Sequence, residues 1–263
     1  MALTDYELIP TARRVLNLFM MVDTSGSMSG EKIAAVNDAI RNVIPIISTI
    51  NDDNPDAEIK ISTLTFASTA NWINSTPVLA SDFKWTDLDA EGWTCMGDAT
   101  RELNRQLSHK HGFLASASGS YAPVIILLSD GAPTDDFYGA MSEIMTNNWF
   151  KHSMRIAIAI GADADIDVLK TFTGNPELVF RAQNIDALKA VIKATVVTSS
   201  MVASRSSSVG MSGTKTGTAA SGATLISKSE EAATALAEEL DDVAGLSVGD
   251  EALIDSLDFD EFD

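Results

Sequence analysis

The chain has 263 residues, 45% of them hydrophobic, enough for one sizeable core with appendages. A formal charge of −19 and a pI near 4.3 exclude nucleic acid as a favoured partner, because its phosphates are repelled. The single cysteine, Cys95, excludes an internal disulfide framework and cannot alone build a thiolate zinc site.

Residues 1–12 read as an N-terminal extension without the basic and apolar regions of a secretory signal. Segment 15–22 is almost continuously apolar, as a strand covered on both faces must be. A helix follows over 31–50, with Ile33, Val36, Ile40, Val43, Ile44 and Ile47 at helical spacing and Pro45 expected to kink or weaken its last turns. Segment 57–66 alternates around Ile59, Ile61, Leu64 and Phe66, with one slip after Ile61, and 72–79 suits an antiparallel neighbour. A loop rich in Asp and Trp over 80–94 leads to a helix over 97–106. Strands at 123–129 and 154–160 bracket a helical stretch over 136–150. Helices at 165–171 and 185–198 close the pattern, with a short strand near 178–180 between them.

This alternation predicts an α/β fold: a doubly wound, mostly parallel central sheet flanked by helices, with one short antiparallel edge strand. The longest apolar runs, 15–22 and 124–128, fall short of the roughly 20 residues that span a bilayer, so the expectation is a cytoplasmic protein with no membrane span. Residues 13–199 form the domain. Residues 200–225 read as a linker dominated by Ser, Gly, Thr and Ala. Residues 226–263 form an acidic tail with 13 carboxylates against Lys228 alone.

In such sheets ligands bind beyond the carboxyl ends of the strands. There, Asp23-Thr24-Ser25-Gly26-Ser27 can aim three oxygens at one point, a donor set suited to Mg²⁺, with Mn²⁺ or Ca²⁺ as alternatives. The same residues also suit an ordinary helix N-cap. Two further segments lie in comparable positions: Thr94 in a Gly-flanked loop before a helix, and Asp130 in the acidic turn Ser129-Asp130-Gly131-Ala132-Pro133-Thr134-Asp135. Asp135 and Asp136 read as a solvated turn and a helix N-cap.

Together Asp23, Ser25, Ser27, Thr94 and Asp130 match, in order, the pattern of a von Willebrand factor A domain with a metal-ion-dependent adhesion site, which the chain resembles over about 13–199. The resemblance implies that the three hydroxyls touch the metal and that the two aspartates hold it directly or through water. It also implies a binding module whose cation accepts a carboxylate from a partner protein. Gly30-Glu31-Lys32-Ile33, Leu128 to Asp135 and Arg155 to Gly161 further resemble the bacterial tellurium-resistance proteins of the TerY type. That likeness implies a role in stress response, metal resistance or phage defence, beside a kinase and a phosphatase.

A metal-dependent hydrolase or phosphotransferase is the competing class. None of His109, His111 and His152 lies in the metal-loop motifs, and no nucleophile elbow surrounds Ser25. An aspartyl phosphotransferase usually carries a second Asp two residues on, where this chain has Ser25. No catalytic residue is therefore assigned, and the chain is read as a non-enzyme. Leu253, Ile254, Leu257, Phe259 and Phe262, set among carboxylates, give the tail the chemistry of a docking segment. One of its carboxylates is a candidate for the open metal position, in its own chain or in a neighbour through self-association.

Overall fold

The computed structural model describes residues 13–208 except 109 and 115–119, together with 234–236, 238, 240, 243 and 246–248. The predicted extension 1–12, most of the linker and much of the acidic tail, 249–263 included, lie outside the described residues.

The parallel centre of the sheet is built from β1 (Arg14–Asp23), β2 (Ala57–Phe66), β5 (Val124–Ser129), β6 (Met154–Ile160) and β7 (Val179–Ala182). Short strands β3 (Ala70–Trp72) and β4 (Val78–Leu79) both pair antiparallel with β2. At the opposite edge β8 (Leu246–Val248) pairs antiparallel with β7. The order is β3-β2-β1-β5-β6-β7-β8, so the chain steps one way from β1 to β2 and the other way from β1 to β5. That reversal opens a crevice beside the carboxyl end of β1.

Side-chain alternation along β1 explains its unbroken apolar run. Leu16, Leu18, Met20 and Val22 face the layer of α1 (Glu31–Asp53) and α6 (Ile185–Ser208). Phe19 and Met21 face the layer of α2 (Met96–Gln106), α3 (Phe137–Ile144) and α5 (Ile166–Thr173). The slip in β2 is a change of face. Ala57, Ile59 and Ile61 belong to the first core and Leu64 and Phe66 to the second, while the pairing with β1 runs unbroken from Arg14–Ala57 to Asp23–Phe66.

Several boundaries differ from expectation. Helix α1 continues through Pro45 to Asp53, because Ile44, Ile47 and Asn51 remain buried against the sheet and outweigh the lost backbone hydrogen bond. By length and composition alone α1 could cross a membrane, but its apolar stripe lies on the sheet, as in the core helix of an α/β domain. The stretch 136–150 is two helices, α3 and α4 (Asn148–His152), the second capped by Asn147, whose side chain accepts from the Trp149 N–H. Helix α6 runs on to Ser208, so the predicted linker begins inside a helix; Ser199 and Ser200 are buried on its inner face.

The acidic tail also contributes to the domain. Leu236 and Leu240 are 0% and 2% exposed in the first core, with Val243 and Leu246 packed against it. Leu236→Ala should therefore cost about 2–5 kcal/mol in a urea unfolding titration. A cost near zero would mean that this segment is not part of the core.

Candidate metal centre

The loop after β1 begins with Asp23, fully buried at the strand's last position. Its Oδ1 accepts from the Ser25 N–H at 2.8 Å, and its Oδ2 accepts from the Ser129 hydroxyl at 2.6 Å across the β1–β5 gap. Ser129 Oγ in turn accepts from the Gly131 N–H at 2.8 Å. Burial pushes the Asp23 carboxyl up; the Ser129 and Ser25 hydrogen bonds oppose this without cancelling it, and Asp130 adds to the rise. A nearby cation would reverse that balance.

The next residues form a tight 3-10 turn, Gly26–Met28, whose backbone brings Ser25 Oγ and Ser27 Oγ to 3.0 Å. Ser25 is buried and Ser27 exposed, so the pair spans from interior to solvent. The helix-cap alternative fails for all three residues. Helix α1 starts only after Gly30, and neither it nor the 3-10 turn carries a side-chain cap bond.

The second loop is strapped to the first. Gly26 N–H donates to Gly92 O at 3.0 Å and Glu91 N–H to Thr24 O at 2.9 Å. Gly92 has a φ of +85°, and a Cβ there would stand 2.5 Å from Ser68 Oγ, so this turn requires glycine. Thr94, 5% exposed, is held against the third loop: its N–H donates to Thr134 Oγ1 at 3.1 Å and its carbonyl accepts from Thr134 N–H at 2.9 Å. Asn37 of α1 anchors the preceding stretch by accepting from Leu88 N–H and donating to Leu88 O, both at 2.9 Å.

Asp130 follows β5 and is 3% exposed. One oxygen, Oδ2, accepts from Lys32 Nζ at 3.3 Å. The other, Oδ1, is buried and has no hydrogen-bond partner among the described residues. A buried carboxylate oxygen left without a donor costs free energy unless a cation or its water satisfies it. The loops carrying Asp23, Ser25, Ser27, Thr94 and Asp130 thus meet at the carboxyl end of the sheet, beside the crevice. Their donors are hydroxyls and carboxylates, a set that fits a hard divalent cation.

Sequence reasoning missed three residues here: Ser129, Lys32 and Asp163. Ser129 was detectable as the one polar residue ending an otherwise apolar strand. Lys32 and Asp163 meet only through the fold, at 2.8 Å. Asp135 is not a free solvated turn: its carboxylate caps α2, accepting from Gly97 and Asp98 N–H at 2.9 and 2.8 Å. Asp136 caps α3 as expected. Cys95, Asp98 and Asp135 also bring ligand atoms within 4.8 Å of one another. There the thiol is pushed up by burial and then by the two carboxylates, and Asp135 is already engaged. His111 precedes β5 and His152 precedes β6, which puts both at the amino end of the sheet, away from these loops. Trp93, 70% exposed, stands beside Thr94.

The sequence model of the von Willebrand factor type A domain matches residues 17–194, more than half of the chain. The chain belongs to the von Willebrand factor type A family. Among solved structures it is similar to a von Willebrand factor type A protein from Catenulispora acidiphila, with 17% identity and a TM-score of 0.52 over 72% of this chain and 43% of that one. It is similar to the pilus adhesin SpaC from Lactobacillus rhamnosus GG, with 13% identity and a TM-score of 0.54 over 70% of this chain and 30% of that one. It is also similar to proximal thread matrix protein 1 from the mussel byssus, described with a zinc-occupied adhesion-site motif, at 16% identity and a TM-score of 0.52 over 72% and 46% of the two chains. This von Willebrand factor A chain spans less than half of each of these structures, and they show its fold. No curated protein sequence matches it.

Ser129→Ala would leave Asp23 Oδ2 without its buried donor and should cost about 1–3 kcal/mol in urea unfolding with EDTA present. Asp135→Ala, which uncaps α2, should cost about 1 kcal/mol in the same assay. No loss in the first case would show that the Asp23–Ser129 bond does not hold β1 to β5.

Proposed function

We propose that this von Willebrand factor A domain is a cation-dependent protein-interaction module, with Ser25, Ser27 and Thr94 holding Mg²⁺ or a similar ion and Asp23 and Asp130 supporting it. The observation that carries this reading is the buried, unpartnered Asp130 Oδ1 at the meeting of the three loops. Bound there, the ion would supply an electrophilic position for an oxygen ligand, since few charged groups of the protein neutralise it. Asp23 orients the loop through the Ser25 N–H and fixes it to β5 through Ser129. Ser27 lies at the solvent side, where a partner's carboxylate arrives, and the exposed Trp93 offers that partner an apolar contact. Oxygen-only donors favour Mg²⁺, with Mn²⁺ or Ca²⁺ as substitutes.

The finer placement among TerY-type proteins rests on Gly30-Glu31-Lys32-Ile33 and the segments after Leu128 and Arg155. With it come a cytoplasmic setting, a stress-response or phage-defence role and a kinase or phosphatase neighbour. The tail carboxylates are a further source of the incoming ligand. Leu246 pairs with Ala182 and Val248 with Phe180, so β8 runs away from the site. The chain's own tail and that of a second copy both carry such carboxylates.

Isothermal titration with Mg²⁺ and Mn²⁺ should show one site in the wild type, weakened about 10–100-fold or more by Asp23→Ala. A pull-down should lose the same partners on adding EDTA and on making that substitution. Equal binding by wild type and variant would overturn this reading.

A further inference from the structure

Lys32 lies in the first turn of α1 and has no place in the five-residue motif, yet its ammonium reaches Asp130 of that motif. Its Nζ stands 3.3 Å from Asp130 Oδ2 and 2.8 Å from Asp163 Oδ1. The loop after β6 is shaped around it: Gly161 has a φ of +92°, and a Cβ there would stand 2.6 Å from Lys32 Cε and 2.7 Å from Asp163 Oδ1. Asp130 is thereby divided between two tasks. One oxygen accepts from the lysine, and the other is buried with no hydrogen-bond partner among the described residues. Asp163 is largely exposed, and among the described residues its carboxylate pairs with this lysine.

We propose that Lys32 is a resident cation of the metal site, neutralising Asp130 in the metal-free protein and lowering the site's affinity for a divalent ion by charge opposition, with Asp163 setting how strongly it does so. The inference rests on the cation reading above. Two positive centres sharing one carboxylate repel each other, and the low-dielectric surroundings keep that repulsion from being screened away. Without the lysine, Asp130 confronts Asp23 as an uncompensated second charge, so the metal-free fold loses stability while the site's attraction for a cation grows. Without Asp163, the lysine's charge falls wholly on Asp130, and the attraction shrinks. A weakly held ion exchanges readily and stays electrophilic toward an incoming carboxylate.

The test is Mn²⁺ titration by calorimetry, with electron paramagnetic resonance of the bound ion, on wild type, Lys32→Met, Lys32→Arg and Asp163→Asn. Thermal melting in EDTA runs in parallel. Lys32→Met should bind Mn²⁺ at least about tenfold more tightly and melt lower in EDTA, whereas Asp163→Asn should bind about threefold more weakly. Lys32→Arg should stay close to the wild type in affinity. Asp163→Asn keeps the proposal testable should Lys32→Met not fold. Shifts in the same direction, or none in either variant, overturn the proposal while leaving the metal site standing. Absence of Mn²⁺ binding in the wild type overturns the metal reading and this proposal with it.

Discussion

The hydrogen bond from Ser129 to Asp23 joins the two strands between which the chain reverses its winding. Its 2.6 Å length and full burial place a carboxylate where water cannot reach it. Desolvating a lone carboxylate costs several kcal/mol, on the order of the whole stability of a small domain, so every local feature must offset that cost. The Ser25 N–H, the Ser129 hydroxyl and the Gly131 N–H behind it do so in part. The remaining imbalance, seen in the raised Asp23 carboxyl and the orphaned Asp130 oxygen, is what a cation would relieve. Site and fold are therefore one structure, since the elements that hold the sheet together also hold the donors.

Much of this was legible in the sequence because the β period and the helical period leave different marks. The apolar runs ending at Val22, Ser129 and Ile160 locate the buried strands closely, and the five motif residues all follow strand ends or precede helices. Less legible were features decided by tertiary packing. Pro45 carries a local signal for a break, but burial of Ile44, Ile47 and Asn51 overrides it. The Ser-rich stretch after Ser199 reads as linker by composition, yet α6 continues to Ser208. Leu236 and Leu240 lie in a strongly acidic segment, where charge masks two leucines that reach the core.

The motif pattern named five residues but left their support hidden. Ser129 adjoins Asp130 in sequence, while its partner Asp23 is on another strand, so only the parallel β1–β5 pairing brings them together. Lys32 and Asp163 lie still further apart in the chain and meet where α1 and the loop after β6 both rise above the carboxyl edge. Asp135, read from sequence as solvated, caps a helix that begins some forty residues earlier, a pairing no local pattern encodes. The charged groups around the site form a graded series, from buried Asp23 through Asp130 and Lys32 to exposed Asp163.

The most direct measurement is a crystal structure of the full chain soaked with Mn²⁺, with an anomalous difference map to locate the ion. One strong peak is expected, bounded by Ser25, Ser27, Thr94 and the Oδ1 of Asp130. A peak at Cys95, Asp98 and Asp135 instead, or none in a well-ordered site, would contradict it.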